Sequence, residues 1–213
     1  MENIVIRNEE SQDYKAVEEL TREAFWNLHV PGCDEHYFVH TMRNHSDFIP
    51  ELDFIAEVDG KIVGNIMYTK AKLVNERGLE KEVLSFGPLS VLPEYQRKGI
   101  GKALQSHSFE KAKALGYDLI IIFGHPANYV SSGFKSCKRY NIATPDGKFP
   151  TALLVKELSP FSSNECKWTF LESSVTELDE KEALAYDANF PPKEKAYKPS
   201  QEEFYILSNS IIR

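Results

Sequence analysis

Apolar residues near the start of the chain are spaced as in one strand followed by two helices. The run within Asn3–Asn8 predicts a first strand. Ser11–Asn27 has apolar residues at helical spacing, with Ser11 as a candidate N-cap. Cys33–Asn44 is predicted to form a second helix. The residues of the first helix expected to face the core are Val17, Leu20 and Ala24.

The next segments predict a hairpin and then a strand with an irregularity. Asp53–Val58 and Lys61–Lys72 resemble strands and flank Asp59-Gly60, a pair typical of a tight hairpin turn. Val83–Val91 is a third apolar run and contains Gly87-Pro88. Because proline donates no hydrogen bond to a neighbouring strand, we expect this strand to be bulged or locally detached.

A helix and a buried strand follow. Apolar residues recur at helical spacing from Ile100 to Leu115, and Gly116 is a plausible C-cap. Leu119–Phe123 is a continuous apolar run, as expected of a strand covered on both faces. Strand, helix and strand in this order predict a right-handed crossover between two parallel strands.

The remaining elements complete an α/β core and lead into an extension. A short helix is predicted near Asn128–Ser132, and two strands at Lys135–Ile142 and Ala152–Leu158, with a turn at Asp146-Gly147 between them. Ser159–Asn164 has the composition of a linker. We therefore divide the chain into residues 1–158 and a C-terminal extension, residues 159–213.

The extension is rich in charge and carries scattered aromatic residues. Glu177–Asn189 has modest helical character and is ended by Pro191-Pro192. We expect the extension to cover the core or to form a dimer contact, and the alternative is that it closes a substrate site.

Composition narrows the class of protein. With 213 residues and 42% hydrophobic content, the chain can bury one substantial core. A net charge of −7 argues against a nucleic-acid partner and mildly favours a cationic substrate. The absence of an 18-residue apolar run and of a signal-peptide layout predicts a cytoplasmic protein without membrane contact. Three widely spaced cysteines suit free thiols.

The segment Leu89–Leu104 carries the most specific chemistry. Gln96-x-x-Gly99-x-Gly101 stands between a strand and a helix, where exposed N–H groups favour an anion. The glycines allow close approach of a phosphate, and neighbouring basic side chains add positive charge. Spacing excludes a P-loop, since Ala103 replaces the required Ser or Thr, and also a dinucleotide fingerprint, since Leu104 replaces a small residue.

This motif resembles the acyl-coenzyme A signature Q/R-x-x-G-x-G/A of the GNAT superfamily of N-acetyltransferases. The resemblance implies an α/β fold with a mixed, mostly antiparallel sheet, a splayed parallel strand pair and flanking helices. It implies direct acetyl transfer from acetyl-CoA, as cosubstrate, to an amine, with pantetheine held by the main chain of the first splayed strand. The cofactor-binding residues it implies are Leu89, Ser90, Val91, Gln96, Arg97, Lys98, Gly99, Ile100, Gly101, Lys102 and Asn128.

The same resemblance supplies catalytic candidates. Tyr129 stands four residues before Gly133-Phe134, where family members have a tyrosine that protonates the departing thiolate; the alternative is a packing aromatic. Where some relatives place a catalytic Glu, this chain has Ser85, with Glu82 as the nearest acid. The base is left open among Ser85, Glu82 and His125, and a structural role for His125 is favoured.

The region from the end of the first helix through the second borders the acceptor pocket in the resembled fold. The residues expected to shape that pocket are Phe25, Trp26, His29, Tyr37 and His40. His36 and His40 have the spacing of zinc ligands on a helix, but there is no second paired motif, so we predict no metal. A homodimer through the last strands or the extension is plausible. A non-catalytic acyl-CoA sensor and a structural interaction module are the alternative functions.

Overall fold

The computed structural model describes residues 4–161 and 166–213. Asn3 of the predicted first strand and residues 162–164 of the predicted linker lie outside this part. The strands of the described residues are β1 (Ile4–Asn8), β2 (Phe54–Val58), β3 (Lys61–Asn75), β4 (Glu80–Val91), β5 (Leu119–Phe123), β6 (Lys135–Ser136), β7 (Ile142–Ala143), β8 (Leu153–Glu157) and β9 (Trp168–Leu171). The α-helices are α1 (Tyr14–Phe25), α2 (Glu35–Met42), α3 (Ile100–Ala114), α4 (Pro126–Tyr129), α5 (Glu180–Asp187) and α6 (Pro199–Ser208).

The strands form one mixed sheet in the order β1-β2-β3-β4-β5-β8-β6. Every neighbouring pair along this path is antiparallel except β4 and β5, which run parallel and are connected through α3. Helices flank the sheet, with α3 packed on one face and α1 and α2 on the other. The predicted fold class is therefore confirmed.

The predicted hairpin and the predicted strand irregularity are both confirmed. Asp59 and Gly60 have φ of 50° and 76° and connect β2 to β3. On β4, two residues between Phe86 and Leu89 lie opposite one residue of β3, so Gly87-Pro88 forms a bulge. Among the described residues β4 pairs with β5 only at Leu84 and Ile120, and the two strands part beyond this point.

The strand β9 was not predicted, and it closes part of the sheet. It pairs with residues 72–75 of β3 on one side and with β7 on the other. The strands from β3 to β9 therefore curl into a partly open barrel around a second apolar core. That core includes Ala71, Leu73, Val83, Leu119, Ile121, Leu153, Val155, Trp168 and Phe170.

Two predicted element boundaries are wrong. Ser11 does not cap α1, because the helix begins at Tyr14 after Asp13, whose carboxylate is held by Arg7 at 2.6 Å. Lys135–Ile142 is not one strand, because the chain leaves β6 after Ser136 and turns through a 3-10 helix, Cys137–Tyr140. This turn places the Cys137 and Tyr140 side chains in the barrel core. Asn141, with φ of 53°, then directs the chain into β7.

The C-terminal residues pack against α1. Arg22 donates from Nε to Asp187 of α5 at 2.7 Å, and the Trp26 indole donates to the Glu194 carbonyl at 2.9 Å. The predicted helix within Glu177–Asn189 is present as α5, and α6 was not predicted. The division of the chain after Leu158 stays a prediction. Across the described ranges no helix has the length and apolar character needed to span a membrane.

Candidate active site

The loop between β4 and α3 presents main-chain N–H groups around a tight turn. Arg97 and Gly99 have φ of 60° and 89°, so the backbone is left-handed at both residues before the helix begins at Ile100. The Gln96 side chain donates to the Val91 carbonyl at 3.1 Å and fastens the loop to the end of β4. Since the first N–H groups of a helix have no partner within it, residues 99–102 direct theirs out of the turn. This is the geometry of an anion site.

Gly101 has no structural reason of its own to be glycine. It lies in the first turn of α3 without a positive φ, and a Cβ there would make only ordinary contacts with Val91 and Leu89, at 3.7 and 3.8 Å. Gly99, in contrast, needs its glycine because of its φ of 89°. A small residue at position 101 leaves open space beside the helix N-terminus.

Positive charge surrounds the turn. The side chains of Arg97, Lys98 and Lys102 are exposed. The Lys98 ammonium lies 4.8 Å from the centre of the Tyr95 ring, which holds it beside the loop. Together with the free N–H groups, these cations fit a pyrophosphate.

The bulged end of β4 runs beside the turn. Leu89 and Val91 face Gly101, whereas Ser90 points to the other side and its buried hydroxyl lies 3.1 Å from that of Thr21. Because β5 has already separated from β4, an extended ligand arm can enter between the two strands. The gap joins the α3 face of the sheet to the opposite face.

Tyr129 lies at this gap on the α3 side. Its ring packs against Phe86 and Phe134, with ring centres 5.8 and 5.7 Å away. A side chain at Gly124 would collide with the Tyr129 ring, so that glycine allows the close approach. Burial raises the pKa of the Tyr129 phenol to about 12, which keeps the hydroxyl protonated at neutral pH.

His125 and Asn128 flank Tyr129 at the surface. The His125 Nδ1 accepts a hydrogen bond from the Ala127 N–H at 3.2 Å and so caps the short helix α4. In the neutral ring the proton is then on Nε2. Asn128 is exposed, and its N–H donates to the His125 carbonyl at 2.9 Å.

Ser85 and Glu82 lie at different distances from the gap. Ser85 is half-buried, opposite Thr69, in the first row beyond the last β4–β5 pair. Glu82 is exposed on the other side of that pair, where the Tyr117 hydroxyl donates to its carboxylate at 3.1 Å. The geometry thus brings Ser85 to the gap and gives Glu82 a partner away from it.

The five predicted pocket residues fall into two groups. The C-terminal extension contacts the first group: Trp26 donates to the Glu194 carbonyl, and His29 stacks on Phe204 with ring centres 4.4 Å apart, while the Phe25 ring lies beside His29. Tyr37 and His40 instead line a shallow cavity of about 540 Å³ between α2 and α5. The Tyr37 hydroxyl donates to Glu182 at 2.7 Å.

Phe123 and Glu172 were not named as site residues from the sequence. Phe123 at the end of β5 is 44% exposed, and its ring centre lies 6.4 Å from that of Phe170 on β9. Glu172 directly follows β9. The alternation of Trp168 and Phe170 was the available signal for this strand. Within residues 4–161 and 166–213 there is no group of His, Cys, Asp and Glu arranged to hold a metal.

Comparison with known proteins agrees with this architecture. Residues 16–134 match the family described as "Acetyltransferase (GNAT) family". An uncharacterized N-acetyltransferase of Escherichia coli, YjhQ, is 33% identical over 89 residues, which cover 41% of this chain and 48% of that protein. The chain thus spans about half the length of this curated relative.

Two solved structures share the fold. A GNAT family N-acetyltransferase of Escherichia coli, YhbS, in complex with CoA, superposes with a TM-score of 0.72 at 20% identity, over 84% of this chain and 94% of that one. A GNAT family acetyltransferase from Brucella melitensis, in complex with acetyl-CoA, superposes with a TM-score of 0.64 at 22% identity, over 83% of this chain and 99% of that one. The matched sequence model and the shared fold show that this chain belongs to the GNAT acetyltransferase family.

Proposed function

We propose that the chain transfers an acetyl group from acetyl-CoA to a primary amine by direct attack. The single observation that carries the proposal is the turn before α3, where Gly101 leaves space beside unpaired helix N–H groups and three cationic side chains. A pyrophosphate fits this combination of shape and charge. The two related structures that hold CoA and acetyl-CoA support this choice of cosubstrate.

In this proposal Gln96 keeps the loop in place, while the N–H groups of residues 99–102 and the side chains of Arg97, Lys98 and Lys102 bind the pyrophosphate. The main chain of Leu89, Ser90 and Val91 and the nearby Asn128 border the pantetheine arm. The bulge at Gly87-Pro88 keeps β5 away from that arm. The thioester is thereby brought to the gap between the strands.

Tyr129 is the proposed acid. A neutral amine attacks the thioester carbonyl, the C–S bond breaks, and the Tyr129 hydroxyl gives its proton to the departing thiolate. The phenol regains a proton from the new amide nitrogen. Because its pKa is raised to about 12, Tyr129 holds a proton to give throughout the neutral range. Its ring packs against Phe86 on the strand that borders the gap.

The acceptor is an amine of a small molecule or peptide. Tyr37 and His40 are proposed to border its path, because they line the open cavity near the first two helices. Phe25, Trp26 and His29 are proposed to shape that path through the C-terminal residues they contact. A homodimer through the last strands or the extension stays a prediction.

The proposal is tested by measuring release of the CoA thiol from acetyl-CoA in the presence of a panel of primary amines. The wild-type chain and Tyr129→Phe are compared. We expect one or more amines to be acetylated, with product verified by mass spectrometry. For Tyr129→Phe we expect kcat to fall about 100-fold while acetyl-CoA affinity changes less than about twofold.

Equal kcat in both proteins would remove Tyr129 from the mechanism. Binding of acetyl-CoA without transfer to any amine would favour the sensor function over the enzyme.

A further inference from the structure

The cavity between α2 and α5 lies where the C-terminal residues pack against the second helix. Its volume of about 540 Å³ is that of a small-molecule site. One wall comes from α2 and the residues after it, and the other from α5 and the residues after it. We call it the α2–α5 cavity, and the lining residues that matter most are Tyr37, His40, Asn44, Glu182, Tyr186 and Asn189.

Three aromatic rings lie side by side in this cavity. The Tyr186 ring centre is 4.5 Å from the His40 ring centre and 5.4 Å from that of Tyr37. Aromatic faces carry partial negative charge, which attracts a cation, and they also give apolar surface for an alkyl chain. The rings therefore favour a ligand that combines a cationic group with aliphatic carbon.

The hydroxyl donors of the lining are already used inside the protein. The Tyr37 hydroxyl donates to the Glu182 carboxylate at 2.7 Å, and the Tyr186 hydroxyl donates to the Glu18 carboxylate at 2.6 Å. The hydroxyl of Thr41, which also lines the cavity, donates to main-chain carbonyls of α2 at 3.1 Å. Among the described residues of the lining, every hydroxyl proton is thus committed, which disfavours an anionic ligand.

Hydrogen-bond acceptors of the lining, in contrast, are left for a ligand. The His40 Nδ1 lies 3.1 Å from the Glu18 carboxylate, so in the neutral ring Nδ1 carries the proton and Nε2 is an acceptor. The Asn189 Nδ2 donates to the Tyr186 carbonyl at 3.0 Å, which leaves its Oδ1 as an acceptor. The Glu182 carboxylate has lone pairs beyond the one bond it receives. His40, Glu182 and Asn189 are all exposed.

The charge of the cavity is negative. Glu182 contributes a carboxylate, and within the described part of the chain neither Lys nor Arg belongs to the lining. The Arg43 guanidinium donates instead to Glu9 at 2.7 Å and to Glu18 at 2.6 Å, and its side chain is only 5% exposed. This cation is therefore turned inward and faces two carboxylates. Asn44 adds an exposed amide that both donates and accepts.

We propose that the α2–α5 cavity binds an aliphatic cation whose nitrogen carries hydrogen, as in the ammonium group of an alkylamine. The N–H groups of the ligand donate to the Glu182 carboxylate and to the acceptors of His40 and Asn189. Its carbon chain rests on the rings of Tyr37 and Tyr186. The inference comes from the lining of the cavity and does not rest on the proposed acetyl transfer.

The test is titration calorimetry with 1,4-diaminobutane and without acetyl-CoA. The wild type is compared with Glu182→Gln and with the matched control Glu180→Gln. Glu180 is exposed in the same first turn of α5 but does not belong to the lining, so both substitutions remove one charge from the same place in the helix. Three further probes are 1,4-butanediol, which is neutral, choline, a cation without N–H groups, and succinate, an anion.

For the wild type we expect 1,4-diaminobutane to bind with a Kd of about 0.1 mM. Glu182→Gln should weaken this binding about 10-fold, because a hydrogen bond from the ammonium to a carboxylate is lost. Glu180→Gln should change the Kd less than about twofold. For the wild type, butanediol and choline should bind at least about tenfold more weakly than the diamine, and succinate should give no heat.

Two results would overturn the assignment: no binding of 1,4-diaminobutane to the wild type, or the same Kd in the wild type and Glu182→Gln. Choline binding as tightly as the diamine would overturn the role given to the N–H groups. Glu182 is exposed, so its replacement leaves the fold intact and the comparison stays interpretable.

An acetylation assay with 1,4-diaminobutane distinguishes the two sources of such a cation. If the cation is the acceptor, Glu182→Gln raises its KM in parallel with its Kd and leaves kcat unchanged. If the cation is a separate ligand, 1,4-diaminobutane binds without being acetylated while other amines are acetylated. Both results support the cation site. A wild type that binds 1,4-diaminobutane but acetylates no amine overturns the acetyl transfer and not this site.

Discussion

The two faces of the sheet are built in different ways. On the α3 face, the strand bulge, the glycine turn and its cations all lie within Phe86–Leu104, a single stretch of sequence. On the opposite face, the second apolar core is assembled from β3, β4, β5, β8 and β9, which are brought together by strand pairing. The turn on the α3 face is a local motif, whereas the opposite face depends on the whole fold.

The faces also differ in charge. The α3 face presents Arg97, Lys98 and Lys102 beside helix N–H groups. On the opposite face, the aromatic side chains of Trp168 and Phe170 are buried in an apolar core.

The largest expected effect is on the α3 face. Gly101→Glu places a carboxylate beside the bound pyrophosphate, and we expect acetyl-CoA affinity to fall about a thousandfold, as for like charges at about 4 Å in a partly shielded site. Titration calorimetry measures the loss. The matched control is Gly101→Ala, whose Cβ meets only ordinary contacts.

For Gly101→Ala we expect affinity within about threefold of the wild type. The family signature also accepts alanine at this position. If both variants bind acetyl-CoA as the wild type does, the pyrophosphate does not lie on this turn.

A smaller effect is expected where the C-terminal residues are fastened to α1. Asp187→Asn leaves the buried Arg22 guanidinium without its counter-charge, and we expect the free energy of unfolding to fall by about 3 kcal/mol. Urea unfolding measures this. Since the α3 turn does not contact this pair, acetyl-CoA affinity should change less than about twofold.

The exposed Glu203→Gln on α6 is the control for that variant and should leave stability unchanged. A loss of acetyl-CoA affinity in Asp187→Asn equal to its loss of stability would contradict the separation of the two faces.

The sequence predicted the α3 face because its requirements are local. Phosphate binding at a helix start needs glycines and basic residues within a few positions, and Gln96 to Lys102 has them. The hairpin at Asp59-Gly60 and the bulge at Gly87-Pro88 were predictable for the same reason, since backbone geometry there is dictated by the residues themselves.

The place of β9 in the sheet could not be predicted from local patterns. β9 has four residues, and its place beside β3 is decided by pairing across about 95 positions of sequence. The wrong strand at Lys135–Ile142 has a similar cause, because burial of Cys137 and Tyr140 in the barrel overrides local strand propensity. The predicted cap at Ser11 is wrong for a similar reason, because Arg7 of β1 binds Asp13 at the start of α1.

The central claim is that the turn between β4 and α3 binds acetyl-CoA. Titration calorimetry of the purified wild-type chain with acetyl-CoA, NAD and ATP tests it most directly. We predict about micromolar affinity for acetyl-CoA and affinities at least about tenfold weaker for NAD and ATP, which lack the pantetheine arm that β4 accommodates. Equal affinity for all three, or no heat on adding acetyl-CoA, would contradict the account.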